Sequence, residues 1–164
     1  MLMQKAIHLA FILTINILFF TKVSAQNQLA DKRVSENLNK LNFKYDVKED
    51  GTFQFTVPVG NRSQMIFIHS NTSSYDNLEI REVYSVIYQS ASKPEDFVLT
   101  KLLIDNGQKK LGAWELIFDN NLYFLVFTAK VSPTLDAANL KSVIDIVATS
   151  SDSLEQILFT TDEW

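Results

Sequence analysis

The sequence predicts an α+β domain, an antiparallel sheet with helices packed on one face, in the order α-β-β-β-β-α-β-β-α. Three observations lead to this fold class. Apolar residues recur every three or four positions in three segments, they alternate every second position in the segments between, and turn signals containing Gly or Asn separate the strands. Because the strands follow one another in runs, hairpins and antiparallel pairing are expected.

The first half of the domain reads as one helix and four strands. A helix is predicted between Gln28 and Asn42, where Ala30, Val34, Leu38 and Leu41 recur at helical spacing. A hairpin follows, with Tyr45 and Val47 joined to the segment 53–59 through the turn signal Glu49-Asp50-Gly51. Two further strands are expected over 64–70 and 78–88, separated by the polar stretch 71–74.

The second half reads as a helix, a hairpin and a long helix. Ser92 as cap and Pro94 in the first turn predict the start of the second helix, which ends at Asn106-Gly107. Strands over 113–118 and 122–131 form a hairpin across Asp119-Asn120-Asn121. The last helix is predicted to open at Ser132-Pro133 and to run about 25 residues to Phe159, because one apolar stripe continues across the polar stretch 149–153.

The composition excludes several chemistries. The chain has 164 residues, of which 46% are hydrophobic, so a single domain with a sizeable core is expected. It contains no cysteine, which excludes a disulfide framework, a thiolate metal site and a thiol nucleophile. His8 and His69 are the only histidines, so we expect neither a multi-histidine metal site nor a metal cofactor of another kind.

Residues 1–25 have the pattern of a secretory signal peptide. A lysine precedes an apolar run over 6–20, and short residues lead to a cleavage site after Ala25. The run is shorter than the ~20 residues of a membrane-spanning helix, so an uncleaved anchor is the less favoured alternative. The prediction is a mature domain over 26–164, periplasmic or secreted, with no stable membrane insertion after cleavage.

The mature protein is expected to be acidic. Removing the signal takes away Lys5 and Lys22, its only charges, which moves the formal net charge from −4 to −6. Binding to nucleic acid or to anionic lipid depends on clustered Lys and Arg. Neither kind of partner is therefore expected.

Some apolar residues exceed what a one-sided helical layer can cover. Phe97 and Ile104 lie off the main apolar stripe of the second helix. The strands 65–68 and 123–127 have apolar residues on both of their faces. An uncovered patch of this kind on a soluble domain usually marks an interface. The candidate partner-binding residues are Phe97, Ile104, Met65, Phe67, Tyr123 and Phe127.

Two short motifs and the order of elements resemble a known family. The segment 41–51, the segment Leu111-Gly112-Ala113-Trp114-Glu115-Leu116 and a long last helix with Asp152 late in it resemble the bacterial YbjN family over nearly the whole mature chain. The family is described as putative sensory transduction regulators, and its domain is similar to type III secretion chaperones. The resemblance implies a dimer that holds an extended partner segment without catalysis, although the secretory signal departs from the usual family pattern.

The remaining polar residues favour structural roles. His69 at a strand end has no G-x-S-x-G turn to work with, and the paired carboxylates Glu49/Asp50 and Glu95/Asp96 belong to a turn and a helix start. Glu82 lies on the same side of the predicted strand 78–88 as apolar residues. A carboxylate there predicts a position at a rim, a bulge, or a partner beside it. No catalytic residue is assigned.

Two functions of different class follow. The leading one is a non-catalytic exported binding module that holds a protein or peptide partner, or itself as a homodimer. The alternative is a periplasmic small-ligand-binding protein with a pocket between sheet and helices. The first requires an exposed apolar surface, and the second requires a closed pocket with convergent polar groups.

Overall fold

The computed structural model describes residues 29–158, which form an α+β domain of seven antiparallel strands and three helices. The predicted fold class is confirmed. The signal peptide over 1–25, its cleavage site and Phe159, the predicted end of the last helix, lie outside the described residues. The elements in chain order are α1 (Lys32–Lys40), β1 (Asp46–Val47), β2 (Phe53–Val59), β3 (Arg62–Ile68), β4 (Ser73–Tyr75), β5 (Leu78–Ser90), α2 (Asp96–Asn106), β6 (Ala113–Asp119), β7 (Leu122–Val131) and α3 (Ala137–Leu158).

The strands lie in the order β1-β2-β3-β5-β7-β6, and β4 pairs with the start of β5. The two ends of this path are β1, with two residues, and β6, with seven. One strand exceeds the prediction: Ser73–Tyr75, expected to be part of a polar connection, pairs with residues 78–80 of β5. The short turn at Asp76-Asn77 makes this pairing possible, since Asp76 adopts a positive φ of 51°.

All three helices pack against the same face of the sheet. Val34 and Leu38 of α1, Val98 and Leu102 of α2, and the apolar stripe of α3 share one core with alternate strand residues. The strand side chains in that core are Phe53, Phe55, Val57, Ile66, Ile68, Val83, Ile87, Trp114, Leu125, Phe127 and Ala129. The opposite face carries no helix among the described residues.

That opposite face, here named the open face, is nevertheless rich in apolar side chains. Its members follow from the register, in which Phe67 lies beside Tyr84 and Val86 beside Val126. The apolar residues of the open face are Met65, Phe67, Tyr84, Val86, Ile117, Phe124 and Val126. Most of them are half-buried by their neighbours in the sheet.

α2 and α3 begin later than predicted, whereas the end of α2 agrees with the prediction. α2 begins at Asp96, with Glu95 as N-cap, so Ser92 does not cap the helix. α3 begins at Ala137 because the Asp136 carboxylate accepts the Asn139 N–H, which places Ser132-Pro133 before the helix. α2 ends at Asn106 as predicted, and α3 continues through the polar stretch to Leu158, the last described residue.

β5 contains a bulge that changes the predicted alternation. Its register with β7 shifts between Val86 and Tyr88, so that Tyr88 lies opposite Leu125. Tyr88 consequently packs against the helical core, whereas uninterrupted alternation would place it on the same face as Tyr84. An extra residue in one strand displaces every later side chain to the other face.

Candidate functional site

The most exposed apolar region of the domain lies on α2 and β6. Between residues 29 and 158, ten large apolar side chains are exposed, and six of them belong to these two elements. Their exposed fractions range from 41 to 72%. This set, here named the α2–β6 surface, consists of Phe97, Leu103, Ile104, Leu116, Ile117 and Phe118.

β6 lies at the end of the sheet, and Asn106 marks which of its backbone groups face outward. The Asn106 side-chain amide donates to the Trp114 carbonyl at 3.2 Å and accepts from the Trp114 N–H at 2.6 Å. Both backbone groups of Trp114 therefore point away from β7. The backbone N–H and C=O groups of successive residues point to alternate sides of a strand. Leu116 and Phe118, two and four residues after Trp114, therefore also direct their N–H and C=O groups to the outer edge.

Trp114 fixes α2 beside this edge. Its indole Nε1 donates to Asp105 Oδ2 at 2.7 Å, and its ring meets the Phe127 ring at a centroid distance of 4.9 Å. Lys109 forms a 3.0 Å salt bridge with the same Asp105 carboxylate. Because Asp105 and Asn106 bond to Trp114, the helix turns Leu103 to solvent.

The six predicted partner-binding residues do not form one surface. Phe97 and Ile104 are exposed on α2, while Met65 and Phe67 are half-buried on the open face. Tyr123 is half-buried on the helical side, and its ring is tilted against the Phe118 ring at a centroid distance of 4.6 Å. The prediction that Phe127 binds a partner is wrong. Its side chain is fully buried in the core next to Trp114 and is not available to a partner.

Four residues of the α2–β6 surface are not among the predicted partner-binding residues, namely Leu103 on α2 and the run Leu116, Ile117 and Phe118 on β6. A run of three apolar residues reads as a buried strand when the strand order is unknown. β6 lies at the end of the sheet because β5 pairs with β7, although α2 and β6 come between these two strands in the chain. No local sequence signal carries that long-range pairing.

The apolar side chains of the open face are less exposed than those of the α2–β6 surface, because aromatic and charged neighbours cover them. Phe67 and Tyr84 stack at 5.1 Å, and the ammonium group of Lys48 lies 5.5 Å from the centre of the Phe67 ring. Lys130 Nζ lies 2.8 Å from Glu115 Oε1 and 3.7 Å from Glu82 Oε1. Glu82, which the sequence left at a rim, a bulge or beside a partner, thus lies on the open face next to a lysine and away from the bulge.

A polar pocket of about 310 Å³ opens at one end of the open face. Thr52 Oγ1 and His69 Nδ1 lie 3.1 Å apart on its wall, and Asp50 and Glu82 place two carboxylates around it. Burial and these two negative charges raise the pKa of Tyr84, next to the pocket, to about 12. The pocket lies at the sheet end rather than between sheet and helices, and its rim of residues 71–73 is exposed.

The buried charges of the domain hold elements together and lie away from the α2–β6 surface. Arg62 Nε donates to Asp152 Oδ1 at 2.7 Å, and Arg62 Nη2 lies 2.9 Å from Glu155 Oε2. Asp152 and Glu155 are both buried, on the side of α3 that faces β3. Two carboxylates of this part of α3 are thus buried against the polar start of β3, and these contacts help to explain why the helix continues there.

A second buried ion pair joins α1 to the sheet. Arg81 is 2% exposed and donates to Asp31 and to the carbonyl of Ser70. Burial alone would raise the pKa of Asp31, but hydrogen bonds from Arg33 and Arg81 outweigh it and lower the pKa to about 2. Asp31 also caps α1 by accepting the Arg33 N–H at 2.8 Å.

Residues 29–158 contain neither a candidate membrane-spanning helix nor a candidate metal site. None of the helices there is both long enough and apolar enough to span a membrane. No group of three or more histidine, aspartate or glutamate side chains in the same range is arranged to hold a metal ion.

Comparison of the chain with protein-family models, with curated proteins and with solved structures found no match. The resemblance to the YbjN family therefore stays a prediction from the sequence.

Proposed function

We propose that this protein is an exported, non-catalytic binding module that holds a protein partner on its α2–β6 surface. One observation carries the proposal: most of the large exposed apolar side chains among residues 29–158 lie on two adjacent elements, α2 and β6. Contiguous exposed apolar surface is rare on monomeric proteins and usually serves as an interface.

The α2–β6 surface supports this role better than the open face. Its side chains are exposed, whereas the apolar residues of the open face other than Ile117, which belongs to both surfaces, are half-buried or buried and lie among Lys48, Lys130, Glu82 and Glu115. It also combines side chains with the outward backbone groups of an edge strand, and extended partners recognise such edges by hydrogen bonding. The resembled secretion chaperones hold extended partner segments, which agrees with this mode.

The test compares two charged substitutions in the exported protein. Tagged full-length protein is expressed in its own cells, crosslinked after export and purified, and the crosslinked complexes are resolved by mass. Ile104→Asp should abolish the complexes, because a charge buried at an interface costs free energy that the same charge in water does not. Leu78→Asp is the matched control, since Leu78 is equally exposed but lies on β5, outside the α2–β6 surface.

Loss of the complexes in Ile104→Asp with retention in Leu78→Asp supports the proposal. Equal complexes in the wild type and both variants, or equal loss in both, would contradict it. Circular dichroism of each variant checks that the fold is retained, as exposed positions lead us to expect.

The second candidate function, binding of a small ligand, is supported by the pocket beside Thr52, His69, Asp50 and Glu82. Its polar groups converge as a ligand site requires, but its rim is exposed and no helix covers it. A small ligand bound there should raise the melting temperature of wild-type protein and not that of Glu82→Gln. A compound that stabilises both proteins equally would argue against this site.

A further inference from the structure

We infer that the partner held on the α2–β6 surface is a second copy of this chain, and that the two β6 strands pair antiparallel about a two-fold axis at Ile117. The inference rests on the proposed function, because it uses the same surface. It adds the identity of the partner, the strand that pairs and the register.

The outward backbone groups of β6 complement themselves. Leu116 and Phe118 each direct one donor and one acceptor outward, as argued from the bonds between Asn106 and Trp114. When the axis passes through Ile117, Leu116 of one copy lies opposite Phe118 of the other, and the reverse pair forms as well. The outward N–H and C=O groups of Leu116 and Phe118, four in each copy, then all have hydrogen-bond partners in the other copy.

Neighbouring registers satisfy fewer of these groups. An axis at Leu116 would place Phe118 opposite Trp114, whose N–H and C=O are already bonded to Asn106. An axis at Phe118 would place Leu116 opposite Asn120, which lies in the hairpin turn with a positive φ of 49° and is not extended. The cap at one end of β6 and the turn at the other therefore select the axis at Ile117.

The side chains fit the same register. On the helical side, Leu116 of each copy would contact Phe118 of the other, and on the open face Ile117 would contact its own copy. All three are exposed in the single chain, so the pairing removes apolar surface from water on both faces of the sheet.

Strand pairing alone would be too small for a stable dimer, which usually buries ~800 Å² on each partner. The three exposed residues of α2, Phe97, Leu103 and Ile104, supply further apolar area on the helical side of the same edge. A two-fold axis that passes through Ile117 perpendicular to the sheet places both copies of α2 on one side of the joined sheet. The dimer is therefore expected to depend on α2 as well as on β6.

The charges distinguish a second copy from another partner. In this register Glu115 lies opposite the partner subunit's Asp119, a like-charge pair that Lys130, 2.8 Å from Glu115, only partly offsets. Added salt screens this repulsion and should leave a homodimer unchanged or make it tighter. A foreign segment with basic residues matched to these carboxylates would instead bind less tightly as salt increases.

The experiment uses the absence of cysteine in the chain, which makes any introduced thiol the only one. Ile117→Cys in the mature protein, mildly oxidised, should form a disulfide dimer, because a non-hydrogen-bonded pair holds its Cα atoms about 4.5 Å apart, within disulfide range. Leu116→Cys and Phe118→Cys alone should not, since each thiol lies diagonal to its copy, at about 7 to 8 Å. A mixture of these two variants should form the mixed disulfide.

A backbone variant tests the hydrogen bonds separately. Phe118→Pro removes one outward N–H without removing a bond to β7, and should lower the dimer fraction in sedimentation more than Phe118→Thr, which keeps the N–H. Equal crosslinking at all three cysteine positions, or a wild-type monomer at several hundred micromolar, would overturn the inference. If Ile117→Cys does not crosslink while Ile104→Asp still abolishes complexes in cells, the second copy is refuted and the proposed function stands.

Discussion

At the scale of single residues, Gly112 shows that the position directly before β6 requires glycine. It precedes the strand with a φ of +81°, and a Cβ atom there would lie 2.6 Å from the Phe127 ring. A positive φ favours glycine, and the ring leaves no space for a side chain. This contact helps to explain why Phe127 is buried, a fact that the apolar sequence of β7 does not indicate.

The first prediction compares two glycines that differ in this contact. Gly112→Ala should lower the free energy of unfolding by about 2 to 4 kcal/mol, the sum of backbone strain and overpacking. Gly60→Ala is the control, because Gly60 also has a positive φ, +61°, but nothing lies within 4 Å of its added Cβ. It should cost about 1 kcal/mol. Urea unfolding measures both, and equal losses would contradict the steric account.

The second prediction concerns the pH dependence of the Asp31 ion pair. The folded-state pKa of Asp31 is lowered from 3.8 to about 2, so the ionised form stabilises the fold above pH 4 and this contribution is lost as the pH falls toward 2. It amounts to about 2 kcal/mol at neutral pH. The difference in unfolding free energy between wild type and Asp31→Asn should shrink over that range. A difference that stays constant from pH 5 to pH 2 would contradict the assignment.

At the scale of elements, α3 is held to the sheet by charge as well as by its apolar stripe. Asp152 contacts Arg62 of β3, and both side chains are largely buried. Asp145, on the same helix, forms an exposed salt bridge with Lys141 at 2.7 Å. The two aspartates therefore allow a comparison within one element.

The third prediction uses that comparison. Asp152→Asn should lower the free energy of unfolding by about 3 kcal/mol, because it leaves the charge of a mostly buried arginine with less compensation. Asp145→Asn should cost less than about 0.5 kcal/mol, as exposed helix pairs do. Chemical denaturation of both variants decides it, and similar losses would mean that the buried pair adds no more stability than a surface pair.

The element boundaries show what local sequence can predict. The turn at Asp119-Asn120-Asn121 was predicted, and Asn120 and Asn121 do adopt positive φ, because asparagine tolerates that region. The start of α2 was predicted too early, since a capping serine and a proline at Ser92 and Pro94 indicate that a helix is near without fixing its first residue. The packing of Trp114 against Asp105 and Asn106 sets the position of α2, and no local pattern encodes it.

At the scale of the whole molecule, the fold class was predictable and the interface was only partly so. Helical and two-residue periodicities persist over whole segments, so the order of helices and strands could be read with one short strand missed. Phe97 and Ile104 were identified because a helix with two apolar sides is visible in sequence. Leu116 and Phe118 were not, because the end of a sheet is defined by long-range pairing.

The fourth prediction concerns export. Cleavage after Ala25 should give a mature chain that begins at Gln26, which intact-mass measurement of the exported protein detects. A membrane-bound product that retains Met1 would contradict the periplasmic or secreted assignment and would require the binding role to be reconsidered at a membrane.

Amide hydrogen exchange at Leu116 and Phe118 of the mature protein tests the central claim most directly, because these two N–H groups face the outer edge of β6. If a second copy pairs with that edge, both amides should exchange slowly at several hundred micromolar and faster on dilution, as the dimer dissociates. The amide of Ile117, which faces β7 in either case, is the internal reference. Rapid exchange of Leu116 and Phe118 at every concentration, with Ile117 protected throughout, would contradict the account of β6 as an interface between copies.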